Sequence, residues 1–212
     1  MTERFLLDSA DLTDIDRAVE TGLIRSVTTN PTLMRQAVSS DPLAHLRAVL
    51  ERPLDRVYYQ PTSRPEGQLA EAVEAFEAAP ERVVIKAMAT PTGIRLASEL
   101  GSRSIPVALT GVQFALGMPI AESLGCVAAI HYFDRASRNP DGPSDLLAEL
   151  IEVGDGTVPI MAGSIKSPGQ AYRALSGGAE SVTVPMSVLE DCLTSGQALA
   201  AEQQFEAAFN TG

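Results

Sequence analysis

A chain of 212 residues, 45% hydrophobic and 20% charged, is apolar enough to bury a full core and fits a single α/β barrel with no linker. Its net charge of −11 and pI near 4.6 exclude a nucleic-acid or anionic-membrane surface, while leaving room for a local basic pocket that binds one small phosphate. Two cysteines, Cys126 and Cys192, and two histidines, His45 and His131, fall in no metal or redox spacing, so buried reduced thiols are expected and no metal or cofactor.

The N-terminal MTERFLLDSAD lacks the basic-then-apolar layout of a signal peptide, so a cytoplasmic protein is expected. RFLLD (4–8) is the first predicted strand, followed by LIRSVTT (23–29), LDRVYYQ (54–60) and RVVIK (82–86). IPVALT (105–110), CVAAIHY (126–132), TVPIMA (157–162) and ESVTVP (180–185) complete the set. The uncharged run from Ser104 to Ala121 approaches a membrane span in length, but Pro106, Gly111, Gly117 and Pro119 interrupt it, and a buried strand followed by a helix accounts for it better. Between the strands lie helical patterns with start signals. Asn30-Pro31, Thr90-Pro91 and Ser167-Pro168 each pair a capping side chain with proline at the first helical position. Ser63 and Glu66 have capping-box spacing, and Leu146, Leu147, Leu150 and Ile151 make one apolar helix face. Gly101, Gly125 and Gly177 fall where helices should stop.

Eight strands, each followed by a helix, predict a parallel sheet, and eight is the number that closes a (β/α)8 TIM barrel. The strand ends recur every 21–32 residues, close to the minimum for a strand, a helix and two turns. An open doubly wound sheet is the rival, but no Gly-x-Gly-x-x-Gly follows the first strand. The expected organisation is one domain over 1–212, with an extra helix at 197–210 made amphipathic by Leu199, Phe205 and Phe209.

In such a barrel, chemistry sits at the C-terminal ends of the strands. Those ends carry Asp8, Thr29-Asn30, Gln60, Lys86, Thr110, Tyr132 and Ser164. Each has an ordinary explanation alone: Asp8 as a turn former, Asn30 as a cap, Thr110 as a strand former, Tyr132 as core with a wet hydroxyl. Together on one rim they point to a site. Lys86 is the sharpest case, because it ends an apolar strand with no acid near it in sequence. An apolar setting favours the neutral amine, and a neutral amine adds to ketones to form a Schiff base. Tyr132 is a candidate acid/base; Gln60 and Thr110 are candidates to hold a water for it. Arg135, and Ser164 with Lys166 in GSIKSPGQ before a helix start, form a candidate phosphate site.

FLLDSAD, SVTTNPTL, RVVIKAM, HYFDR and AGSIKSP, in this order and spacing, resemble the small transaldolase family, and within it the fructose-6-phosphate aldolase branch. The resemblance covers nearly the whole chain. It implies Lys86 as the Schiff-base lysine, Asp8 and Asn30 (with Thr28 beside it) at the substrate hydroxyls, and Arg135, Ser164 and Lys166 at the phosphate. Gln60 and Tyr132 are similar to the aldolase branch, where true transaldolases of this type carry glutamate and phenylalanine. The resemblance therefore implies a metal-free class I aldolase that cleaves fructose 6-phosphate to dihydroxyacetone and glyceraldehyde 3-phosphate, or runs in reverse. It also implies rings of five stacked as a decamer, with the last helix on a neighbour. The alternatives are a transaldolase that passes the three-carbon unit on, and a non-catalytic sugar-phosphate-binding relative. Departures from the family pattern occur at Met88, Ile130 and His131, and Met118-Pro119 is expected to bend the fifth helix. They predict an altered donor or acceptor preference, such as a less hydroxylated ketone.

Overall fold

The computed structural model describes residues 3–38 and 40–210. β1 (Phe5–Asp8) leads to α1 (Leu12–Glu20), and β2 (Ser26–Thr28) to α2 (Pro31–Ala37) and α3 (Pro42–Leu50). β3 (Arg56–Tyr59) leads to α4 (Gln68–Glu77), β4 (Val83–Met88) to α5 (Pro91–Gly101), and β5 (Val107–Val112) to α6 (Gly117–Ser123). β6 (Ala128–Tyr132) is followed by α7 (Phe133–Ser137) and α8 (Leu146–Val153), and β7 (Ile160–Gly163) by α9 (Pro168–Ser176). β8 (Ser181–Val184), α10 (Met186–Leu193) and α11 (Gly196–Asn210) end the order. The strands are parallel and pair in sequence, with β8 closing against β1, so the chain forms a (β/α)8 TIM barrel. Among the described residues no helix is long and apolar enough to cross a membrane.

The expected caps form. Asn30 accepts from the main-chain N–H of Thr32 and Leu33, Thr90 from Gly93, and Ser167 from Gln170. Each cap of this kind contributes about 1 kcal/mol and fixes where the chain leaves the rim. Period-two alternation then sorts the strand residues. Leu7, Val27, Val57, Ile85, Leu109, Ala129 and Val182 belong to the outer core against the helices. Leu6, Tyr58, Val84, Ala108, Ala128, Ile130 and Met161 fill the barrel interior. Lys86 has the parity of Val84, and Tyr132 that of Ile130, so both point inward above that packed floor.

Several local expectations are corrected. The Ser63–Glu66 capping box does not form: α4 starts at Gln68 after Gly67, with no side-chain cap. Instead the Ser63 main-chain N–H donates to Glu71, at 2.7 Å. Thr62 donates to Glu71 through both its main chain and its hydroxyl, and so does the Tyr59 hydroxyl. Burial alone would raise the Glu71 carboxyl, but the bonds from Ser63, Tyr59 and Thr62 outweigh it and hold the group below its ordinary value. This carboxylate ties the loop after β3, and with it Gln60, to α4. Glu71→Ala is expected to destabilise the protein by about 3 kcal/mol, read as a lower urea midpoint. A depressed carboxyl pKa gives stability that is present above the unfolded value and lost as pH falls through the folded one. The gap between wild type and variant should therefore close in acid.

Ile151 is 43% exposed, while Leu146, Leu147 and Leu150 are buried. Pro119 lies in the first turn of α6, where a proline removes no intrahelical bond, so the expected bend has no cause. Cys126 and Cys192 are free thiols; burial pushes Cys126 up to about 11, but Cys192 is only half-buried. In α11, Leu199, Phe205 and Phe209 are 48%, 74% and 88% exposed.

Candidate active site

At the C-terminal mouth lies a cavity of about 480 Å³ walled by Asp8, Asn30, Gln60, Lys86, Tyr132, Arg135, Ser164 and Lys166. Eight of the ten site residues expected from sequence thus converge, from β1, β4 and β6 and from the segments that follow β2, β3, β6 and β7. Thr28 and Thr110 do not line the cavity. Both are fully buried, and each reaches it through a neighbour. Thr28 donates to Asp8 Oδ1 at 2.8 Å and shares a 2.7 Å hydrogen bond with Thr183. Thr110 donates to the Tyr132 hydroxyl at 3.2 Å.

Lys86 is 4% exposed, and its Nζ donates to the main-chain carbonyl of Thr29 at 2.7 Å. Burial lowers its pKa; the Asp8 carboxylate opposes this, and the net direction is down. A neutral amine that donates one hydrogen to Thr29 keeps its lone pair for a carbonyl carbon. The Oε1 of Gln60 is buried and has no hydrogen-bond partner among the described residues. Gln60 lines the cavity, so this acceptor is open to a donor from water or substrate.

The cationic side of the cavity is held by a bridge that sequence reasoning missed. Gln170 accepts from the Lys166 main chain at 2.7 Å and donates to Asp134 at 2.9 Å. Asp134 also pairs with Arg138. The bridge joins the segment after β6, carrying Arg135, to that after β7, carrying Ser164 and Lys166. Ser164 itself has φ +60°, a left-handed conformation that costs a non-glycine residue energy and is common at functional sites. The Arg135 guanidinium lies 4.9 Å from the centre of the Tyr132 ring, a cation–π contact. Thr183 was also missed, although its position in the last predicted strand gives it inward parity; it lines the cavity. His131, on the opposite parity to Tyr132, is buried against the Val112 carbonyl and does not enter the cavity.

A separate hollow of about 340 Å³ opens at the N-terminal end of the barrel and contains Glu3, Arg25, Asp55 and Glu180. Its charges are committed to structure. Arg25 pairs with Asp55 at 3.3 Å, and Glu3 and Glu180 accept from the main-chain N–H groups of Arg25 and Ile160.

Fold and cavity together define a (β/α)8 barrel with a buried amine, a phenol and a cationic corner at its C-terminal mouth. The family model described as transaldolase/fructose-6-phosphate aldolase matches residues 5–212, and the chain belongs to that family of enzymes. A probable transaldolase of Heliobacterium modesticaldum is 29% identical over 191 residues, covering 88% of this chain and 87% of that protein. Probable transaldolases of Geotalea daltonii and Exiguobacterium sibiricum are 24% and 26% identical, each covering 88% of both chains.

Proposed function

We propose that the protein is a class I aldolase that cleaves fructose 6-phosphate between C3 and C4, or forms it from dihydroxyacetone and glyceraldehyde 3-phosphate; a related ketone in place of dihydroxyacetone gives the correspondingly altered sugar phosphate. The observation that carries this reading is the pairing of a buried, neutral-leaning Lys86 with a Tyr132–Thr110 contact and an amide, Gln60, in a cavity whose only carboxylate among the described residues is Asp8. The Lys86 amine adds to the C2 carbonyl, and loss of water gives a protonated imine. That cation draws in the C3–C4 bonding pair as the C4 hydroxyl loses its proton, releasing the aldehyde and leaving an enamine. Protonation at C3 and hydrolysis then free the ketone and restore the amine. Tyr132 moves the proton through a water that Gln60 and Thr110 orient. Asp8, positioned by Thr28, and Asn30 bind substrate hydroxyls; Arg135, Ser164 and Lys166 bind the phosphate.

The chain acts as one cytoplasmic domain in carbohydrate metabolism, without nucleic-acid or membrane partners, and the bare apolar side chains of α11 are covered by a neighbouring copy in a pentamer or decamer.

The names of the relatives favour a second reading, transfer of the three-carbon unit between sugar phosphates. Product analysis separates the two. With fructose 6-phosphate as sole substrate, free dihydroxyacetone is expected. If it is absent, and sedoheptulose 7-phosphate forms once erythrose 4-phosphate is added, the protein is the transferase. Borohydride reduction in the presence of fructose 6-phosphate should fix the sugar carbon skeleton to Lys86. A protein that binds the sugar yet gives no adduct would be a non-catalytic relative.

A further inference from the structure

A carboxylate, Asp134, precedes Arg135 on the cationic side of the cavity, although its charge there opposes a phosphate. It is 7% exposed and is the only buried side chain of α7. Phe133 and Ala136 are only partly buried, and a helix of five residues is too short to hold its own place. What Asp134 touches therefore positions α7, and Arg135 with it. Its Oδ2 pairs with Arg138, but that side chain is 71% exposed, and it lies four residues along the same segment, so the pair ties α7 to nothing else. Its Oδ1 accepts from Gln170 Nε2. The Gln170 bond, opposed by burial and helped by Arg138, holds the Asp134 carboxyl below its ordinary value. The far end of this tie is fixed, because α9 packs through buried Ala171 and Ala174, and Gln170 lies in its first turn. Gln170 Oε1 accepts from the Lys166 main-chain N–H, which orients the amide: oxygen to the main-chain donor, nitrogen to the carboxylate. A glutamate could serve Lys166 but would have no hydrogen for Asp134.

We infer that Gln170 is a positioning residue for the phosphate: it docks α7 against the turn before α9, so that Arg135 and Lys166 face one anion from two sides, and it thereby sets the preference for phosphorylated over neutral aldehydes. This rests on the reading of Arg135, Ser164 and Lys166 as the phosphate site. Arg135 and Lys166 line the cavity from separate segments, and the described hydrogen bonds that join those segments run through Gln170. Without the amide, α7 keeps only the solvated Arg138 pair, and Arg135 loses its fixed distance from Lys166. An acceptor with a phosphate depends on that distance. An acceptor without one does not.

The test reads binding and turnover. Calorimetric titration of glycerol 3-phosphate gives the Kd of the anionic end in wild type, Gln170→Leu and Asp134→Ala. Kinetics give kcat/KM for addition of dihydroxyacetone to glyceraldehyde 3-phosphate and to glyceraldehyde. Both variants should weaken glycerol 3-phosphate about tenfold or more, the scale of one hydrogen bond to a charged group, and lower the preference for the phosphorylated aldehyde by a similar factor. Glyceraldehyde should react as in wild type, which a general loss of structure would not allow. Asp134→Ala decides the sign: removing a negative charge beside Arg135 tightens phosphate if charge alone matters, and loosens it if the bridge does. Tighter binding in Asp134→Ala, or a loss shared equally by both aldehydes, overturns the inference. If Gln170→Leu fails to melt cooperatively, Gln170→Met carries the same test. A wild type that does not bind glycerol 3-phosphate removes the phosphate-site reading itself, whereas equal binding in wild type and Gln170→Leu removes only the role of Gln170.

Discussion

Lys86→Arg is expected to lose about 10⁴-fold or more in turnover while folding normally. Arginine stays protonated at any pH a protein tolerates, so it has no lone pair to offer a ketone, and it brings a permanent charge to a place where burial favours the neutral amine. The Thr29 carbonyl can still receive a hydrogen bond from it, which keeps the site's polar groups partnered. Circular dichroism should therefore report the same fold, melting should fall because a permanent charge now sits in a buried place, and no sugar should be retained after borohydride reduction. In the wild type, burial lowers the Lys86 pKa from the ordinary 10.5. The trapping rate should rise with pH as the amine loses its proton and level off below that value. A trapping curve that keeps climbing to the pH of an ordinary lysine would mean that the amine is solvated in the working enzyme. Substantial activity in Lys86→Arg would remove covalent catalysis altogether.

Tyr132→Phe should cut cleavage roughly 10²–10⁴-fold, the range of a positioned acid or base. The substitution keeps the ring on which Arg135 rests and removes only the hydroxyl that receives the Thr110 bond. Binding and proton handling can thus be told apart. Borohydride should still attach substrate to Lys86, because the amine is untouched, while release of free ketone collapses. If trapping and turnover fell together, the phenol would be acting in imine formation as well as in cleavage. An unchanged turnover would leave Tyr132 as a wall and pass the proton role to Asp8.

The barrel was legible because each repeat carries its own local punctuation. Val83, Val84 and Ile85 run into Lys86, and a threonine cap with a following proline starts the next helix; similar marks recur around the chain. The rim residues were legible for the same reason, since a strand's last inward position is countable from sequence. What escaped was non-local. Glu71 lies inside a helical pattern and looks like solvated surface until Thr62 and Ser63 fold back onto it. Gln170 is an unremarkable residue in the first turn of α9 until the segments after β6 and β7 are brought side by side. Thr183 was passed over as a strand former, although its partnership with Thr28 links β8 to β2 across the intervening β1. The β5 irregularity at Gly111 carried the strand to Val112, two residues past its predicted end, and no periodicity signals it in advance.

Under the proposed function, the guanidinium resting on the Tyr132 face would couple two ends of a reaction that are otherwise separate. An anionic tail that drew Arg135 toward itself would also uncover one side of the phenol, so that the tail would be felt where the proposal has protons move. Neutral aldehydes leave that lever unpulled. Their handicap should then show in turnover as well as in affinity, and a small dianion such as phosphite, added from solution, should restore part of it.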